Sequence, residues 1–401
     1  MFELSEAQQA IQTSIRRFAR RELRWRARKL DSAPPGAIDW DLLRKSCTFG
    51  LLSGQLPPEY GGTMEPLSAV IAAEEIAHWD AGTATLLAAN SLAQAAIAQS
   101  GNTAVMEQIF PAITAAEAHQ EPVLVALALT ERRLGSDLVH PPTTNAARMM
   151  VVAKRRAATY VLSGRKAYCA GGNVAQWICV FATLSDDRSP AGLTGFVVPT
   201  KTRGFHVSEI LPTMGLRACP LVEFYLENVT VPATHLLTAE GEAQALVQAL
   251  SAQGRYQGAA IAVGLARGAF ELARQHSILR TQGGSPIAYH QMVQHMLADM
   301  TTHIAAARLL TYKAAVTTPP DLAASSMAKV FASDVAVRVA TDAVQLMGAY
   351  GTTIKSGAEK YFRDAKMTQI FEGTNEICRL AITSPMLRDA GLLAVPEQGV
   401  H

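Results

Sequence analysis

The sequence predicts an α+β chain: an N-terminal helical domain over 1–120, a middle β domain of barrel or sandwich form over 121–234, and a C-terminal four-helix bundle over 235–401. Three observations predict it. Apolar residues recur at helical spacing toward both ends of the chain. Short apolar runs, one of them alternating strictly, occupy the middle. The order helix, sheet, helix is not the strand–helix alternation of a doubly wound fold.

In the first zone, Ser5 and Gln8 have the spacing of a capping box, and Ile11, Ile15 and Phe18 then place one apolar stripe against a core. Arg16, Arg17, Arg20, Arg21, Arg24, Arg26 and Arg28 read as a solvated helix face. Pro57, Pro58, Gly61 and Gly62 mark a turn. A small-residue helical pattern runs from Pro66 to Ser100, broken near Asp80 to Gly82.

The middle zone holds four short apolar runs: Val123 to Leu129, Trp177 to Leu184, Gly195 to Pro199 and Val222 to Val231. In the last, Val222, Phe224 and Leu226 alternate with Glu223, Tyr225 and Glu227, so one face is buried. The third zone has long alanine-rich helical stretches without internal proline at Gly258 to Gln275, Gln291 to Ala315 and Leu322 to Met347, and a fourth helix is expected after Glu372.

Composition bounds the function. Hydrophobic residues make up 49% and charged residues 17% of the 401, which suits large cores and excludes a disordered chain. A net charge of +2 gives no electrostatic argument for nucleic acid. No run reaches the roughly 18 apolar residues of a membrane helix. The N-terminus has no apolar signal core, and the five cysteines lack metal-ligand spacing; both suggest reduced thiols in a cytoplasmic protein. There is no G-x-G-x-x-G after a strand, no phosphate loop, no H-E-x-x-H and no G-x-S-x-G.

The most informative segment is Phe362 to Leu380, F-R-D-A-K-M-T-Q-I-F-E-G-T-N-E-I-C-R-L. Glu372 lies among apolar neighbours, where lost hydration raises a carboxylate's pKa and makes it a better base. Gly373 lets backbone approach a ligand, and Thr374 can cap a helix whose exposed amides suit an anion. Gln345-Leu-Met-Gly-Ala-Tyr-Gly351 offers bare backbone at a helix end, and Leu129-Thr-Glu-Arg-Arg-Leu-Gly-Ser-Asp137 puts hydroxyls and glycine after a strand.

Taken together and in this order, these segments resemble the acyl-CoA dehydrogenase family over nearly the whole chain. Met214 to Ala218 (M-G-L-R-A), Leu226 to Pro232 (L-E-N-V-T-V-P), Leu297 to Met300 and Ala306 to Tyr312 add to the resemblance. It implies FAD bound in extended form between the β domain and the C-terminal helices, an acyl-CoA substrate, an electron-transfer flavoprotein as acceptor, and a homotetramer built as a dimer of dimers. Glu372 takes the position of the base that removes the α-proton while the β-hydrogen leaves as hydride to flavin N5. Some relatives carry the base on another helix, just before an arginine; that place is Gly254 here, followed by Arg255, so Glu372 keeps the role.

The resemblance also assigns FAD contacts to Thr130, Ser136, Tyr168, Ala170, Thr374 and Glu376. It gives Arg280, His290, Gln291, Gln345 and Gly348 to the FAD of the neighbouring subunit. Ser136, Arg255 and Gly373 fall at substrate positions, and Thr83 to Ala93 at the acyl end. The chain departs from the family at Arg132, Arg133 and Leu134, at Tyr168-Cys169-Ala170 (where a hydroxyl is lost), at Gly283, in a long segment His140 to Met150, and at Pro385, which is expected to end its helix early. The departures leave open an oxygen-using relative, a non-catalytic subunit, and a shifted substrate whose acidic group would meet Arg132 and Arg133.

Overall fold

The computed structural model describes residues 3–139 and 148–392. The N-terminal helices are α1 (Glu6–Asp31), α2 (Trp40–Cys47), α3 (Pro66–Ala77), α4 (Ala81–Gln99) and α5 (Thr103–Ala118). The Ser5–Gln8 capping box forms in both directions, and Ile15 and Phe18 are buried. The break in the small-residue pattern is real: Asp80 caps α4 by accepting from the Thr83 amide at 2.8 Å. The basic face of α1 is only partly solvated. Arg26 is buried and donates to Glu22, Asp39 and Asp41, and Arg16 pairs with Glu75 at 2.8 Å.

The middle zone comprises β1 (Val125–Ala128), α6 (Ser136–Val139), β2 (Val152–Arg156), β3 (Thr159–Ala170), β4 (Trp177–Thr183), β5 (Leu193–Pro199), β6 (Phe205–Leu211) and β7 (Leu221–Pro232). These strands make one curled seven-stranded sheet in the order β1-β4-β2-β3-β7-β6, with β5 paired to β4. The pairing of β1 with β4 is parallel, and that of β3 with β7 is antiparallel. Val222, Phe224 and Leu226 are buried as their alternation predicts, but Glu223 on the opposite face is buried too, paired with Arg132 and Arg165. Strands β2, β3 and β6 have no apolar run of their own and were not legible in the pattern. A bulge in β3 between Lys166 and Cys169 puts Tyr168 at φ 55° and turns its ring outward, 53% exposed.

The C-terminal zone holds α7 (Ala243–Leu279), the short hairpin β8 (Thr281–Gln282) and β9 (Ser285–Pro286), then α8 (Gln291–Val316), α9 (Leu322–Gly351), α10 (Ala358–Thr368) and α11 (Asn375–Asp389). The first helix starts at Ala243, well before Gly258, because its glycine-containing first half is buried against α4. Glu372 is preceded by a separate helix, α10. Pro385 does not end α11, which continues to Asp389. Proline forfeits only its own amide bond to the Ala381 carbonyl, near the end of the helix.

A buried ionic network joins the three zones under α10. Lys360 donates to Asp80 at 2.8 Å and to Asp364 at 2.6 Å, and Asp364 accepts from the Leu216 amide at 2.7 Å. Beside it, Arg363 pairs with Asp31 at 2.7 Å. Lys360 and the arginine and aspartate of R-D-A-K therefore lock the helix ahead of Glu372 onto α1, the start of α4 and the middle zone.

Candidate active site

Glu372 sits in the tight turn between α10 and α11. It has φ 55° and Gly373 has φ 89°, two successive left-handed residues; the first is costly for a residue with a side chain. The turn aims the carboxylate at α7, where a Cβ built on Gly254 falls 2.2 Å from Glu372 Oε2. Phe371 packs on Gly258, one turn further along. Burial pushes the Glu372 carboxyl above its ordinary value, and the cations Lys329 and Arg255 oppose that shift.

Arg255 is fully buried. Its Nη1 donates to Ser326 Oγ at 2.7 Å and its Nε to the Glu372 carbonyl at 3.4 Å, while Nη2 has no hydrogen-bond partner. Burial lowers its pKa. Arg255 thus lies behind the turn that holds the carboxylate. Thr374 Oγ1 accepts from the Ile377 amide at 3.4 Å and caps α11, and Glu376 is exposed in the first turn of that helix, its pKa held down by backbone amide and Thr374 hydroxyl bonds.

The carboxylate faces a cleft of about 640 Å3, a size typical of small-molecule sites. The middle zone contributes Thr130, Ser136, Tyr168 and Ala170 to its wall; Glu372, Gly373 and Thr374 form the other side. Thr85, Ala88, Ala89 and Leu92 of α4 face Val247 and Leu250 of α7 in its apolar part. Glu372 is the only charged residue among the described residues of the lining. A larger hollow of about 1170 Å3 lies between α1, α7 and α8, lined by arginines and without Glu372, and is a separate place.

The structure does not bring Arg280, His290, Gln291, Gln345 and Gly348 to this cleft. All five are exposed, at the end of α7, the start of α8 and the end of α9, where Gly348 kinks the helix at φ 58°. His290 contacts the Gln282 carbonyl across the hairpin at 3.1 Å. Arg132 does not offer its charge to a substrate: it donates to Glu223 at 2.6 Å and to Glu209 at 3.2 Å. Arg133 is exposed. Of the segment His140 to Met150, residues 140–147 lie outside the described residues.

Sequence reasoning missed Lys329, whose Nζ donates to the Gly373 carbonyl at 2.7 Å and to Asn375 Oδ1 at 2.9 Å. It also missed the fully buried Lys166–Glu131 pair at 3.0 Å. Lys166 further donates to the Leu129 carbonyl, and Glu131 accepts from the Val151 amide, so the pair fixes the strand ends that carry Thr130 and Tyr168. A lone lysine between alanine and valine in an alanine-rich helix was the available signal.

These residues fit a flavin cofactor. Hydroxyls and backbone line both sides of one cleft, Thr130 and Ser136 on one and Gly373 and Thr374 on the other. Thr130, Ser136, Tyr168, Ala170 and Thr374 would hold the group.

The comparisons agree with this architecture. Family models match in succession: the acyl-CoA dehydrogenase N-terminal domain over residues 5–117, the middle domain over 126–229 and the C-terminal domain over 244–387. A cyclohex-1-ene-1-carbonyl-CoA dehydrogenase of Geobacter metallireducens is 38% identical, covering 96% of this chain and 100% of its own. The butyryl-CoA dehydrogenase structure from Megasphaera elsdenii superposes with a TM-score of 0.88 at 31% identity, covering 97% and 100% of the two chains. A structure described as the electron transferring flavoprotein of Acidaminococcus fermentans also gives 0.88, at 34% identity and the same coverage. The chain belongs to the acyl-CoA dehydrogenase family and is an FAD-dependent oxidoreductase, an acyl-CoA dehydrogenase.

Proposed function

We propose that the chain converts an acyl-CoA thioester to its 2,3-enoyl-CoA with Glu372 as the base. The carrying observation is the Glu372 carboxylate, half-buried at the wall of a cleft whose other side holds Thr130, Ser136, Tyr168 and Ala170. Ionised Glu372 takes the α-proton. In this reading a backbone amide of the Glu372–Gly373 turn donates to the thioester oxygen, which acidifies the α-carbon. FAD, when bound, supplies the acceptor for the β-hydride. The apolar helices α4 and α7 receive the acyl chain and exclude water.

The lining supports a neutral acyl group. No cation stands in the described lining to pair with a second carboxylate, and Arg132 is already engaged by Glu223 and Glu209. Thr130, Ser136, Tyr168, Ala170, Thr374 and Glu376 contact FAD in this reading. Ser136, Arg255 and Gly373 serve the substrate end, Arg255 from behind the turn.

A homotetramer is part of the same reading. Arg280, His290, Gln291, Gln345 and Gly348 are free to reach a partner's FAD, and Leu279, Tyr289 and Met292 beside them are 81%, 73% and 83% exposed. An electron-transfer flavoprotein as acceptor is supported by the Acidaminococcus neighbour. A cytoplasmic setting is supported by the five buried free cysteines. The domain divisions at 120 and 234 follow the ends of α5 at Ala118 and β7 at Pro232.

Anaerobic addition of neutral acyl-CoAs to the purified yellow protein tests the proposal. Wild type is expected to bleach, and Glu372→Gln to keep its FAD but bleach roughly 10²–10⁴-fold more slowly. Equal rates would overturn the assignment of the base. Fast hydrogen peroxide production in air would favour an oxidase, and failure to hold FAD a non-catalytic subunit.

A further inference from the structure

Two cations from two different helices close on the back of the base turn. Arg255 of α7 reaches the carbonyl of Glu372, and Lys329 of α9 reaches the carbonyl of Gly373 at 2.7 Å. Lys329 is 1% exposed, and its second partner, Asn375 Oδ1 at 2.9 Å, is also uncharged. Asn375 is itself fixed, donating to Asp334 Oδ1 at 2.8 Å and to Ser333 Oγ at 2.9 Å. Gln369, at the other end of the turn, donates to the same Asp334 oxygen at 2.7 Å, and its carbonyl accepts from the Asn375 amide at 3.0 Å.

A neutral donor would satisfy these two oxygens at far lower desolvation cost than a buried ammonium. The positive charge therefore calls for a charge to act on. The charged and titratable groups that bear on Lys329 are Glu372 in the turn, Arg255 on α7, Asp334 on its own helix, and Cys378 and Glu376 on α11. Asp334 already accepts from Arg379 at 2.9 Å, Glu376 is exposed, and burial keeps the Cys378 thiol neutral. Glu372, half-buried at the cleft wall, is left as the carboxylate that has no direct ion-pair partner among the described residues.

We propose that Lys329 is a positioning residue for Glu372: it holds the Glu372–Gly373 turn in its left-handed form and keeps a fixed positive charge behind the carboxylate. This rests on the reading of Glu372 as the base. Two successive residues with positive φ need outside restraint, and the Lys329 bond to the Gly373 carbonyl supplies it from a rigid helix. The same ammonium counters the burial that makes Glu372 hard to ionise, and so favours the carboxylate over the acid. Burial lowers the pKa of Lys329 to about 8, so its charge is itself present near neutrality and lost above that.

The test compares Lys329→Gln, which keeps a donor but removes the charge, with Lys329→Arg, which keeps the charge. The readouts are the pH dependence of anaerobic flavin reduction and the infrared carboxyl band of Glu372, identified as the band missing in Glu372→Gln. In Lys329→Gln the acid limb and the infrared titration are expected to move together to higher pH by about one unit, a tenfold loss of rate below the limb. The rate recovers at high pH, and Lys329→Arg keeps the wild-type limb. Loss of rate at every pH with an unmoved limb and band would overturn the proposal. If the Gln variant does not fold, wild type must still show a step in the Glu372 carboxylate band near pH 8 that Lys329→Arg lacks; its absence would equally overturn it. Failure of the base assignment is separate: it would show as an active Glu372→Gln.

Discussion

The missing side chain of Gly254 and the carboxylate of Glu372 claim one volume: a Cβ on Gly254 would stand 2.2 Å from Oε2 and 2.9 Å from the carboxyl carbon. The helix position at which the resemblance puts the base of some relatives thus lies against Glu372, the base proposed here. Gly254→Ala is expected to push the carboxylate aside while the helix itself tolerates alanine. Misplacement on the ångström scale costs about 10²-fold, so the limiting rate of flavin reduction should fall by roughly that factor with FAD content unchanged. An unimpaired rate would mean that the turn moves freely.

Stability and activity should part company at Glu372. Its pKa in the folded chain is raised by burial above the ordinary 4.5. A carboxylic acid of this kind contributes its full stability below pH 4.5, and that contribution is lost as pH rises through the folded value. Glu372→Gln should therefore melt higher than wild type at pH 8, with the gain shrinking as the pH is lowered toward 4.5. Melting curves across pH decide this, and a variant that is less stable at pH 8 would contradict it.

The Glu131–Lys166 pair is expected to be worth more broken than made. Both side chains are fully buried, and Glu131 also receives the Met150 and Val151 amides. Lys166→Met leaves a carboxylate without its cation in the core, which costs about 3–5 kcal/mol. Denaturant unfolding measures that loss. Because the pair fixes the strand ends beside Thr130 and Tyr168, weaker FAD retention should accompany it.

Acyl preference should respond to α4. Ala88 and Ala89 face Val247 and Leu250 across the cleft. Ala88→Phe adds a ring to this space and should lower kcat/KM for bulky or long acyl-CoAs by tenfold or more, roughly 1.4 kcal/mol, while sparing short ones. A panel of acyl-CoAs of graded size checks it, and a uniform loss across the panel would place Ala88 away from the acyl chain.

What could be read without coordinates follows the range of the interactions. The capping box at Ser5, the break at Asp80 and the burial of Phe224 are set by residues within a few positions of one another, and each is visible as spacing. The turn around Glu372 was legible for the same reason. Arg132 and Glu223 meet across 91 residues and leave no local trace, so an ion pair looked like a free cation. Lys329 and Gly373 are 44 apart, and the lysine's burial depends on how α7, α9 and α11 meet. The strands β2 and β3 alternate poorly because β3 is bulged and both are partly exposed, which removes the period that reveals a strand.

The glycines of α7 set what this enzyme can become. Besides Gly254 and Gly258 at the cleft, a Cβ on Gly264 would meet the Glu74 carbonyl at 2.3 Å, and one on Gly268 the His78 carbonyl at the same distance. One uninterrupted helix therefore fixes two clearances, that against the Glu372 turn at the cleft, and that between the bundle and α3. A larger residue at Gly264 or Gly268 would tilt the helix about its middle and change the clearance at Gly254, more than a turn away from any altered atom. Remodelling this enzyme for bulkier substrates thus has freer paths on α4 than on α7, where widening one end narrows the other.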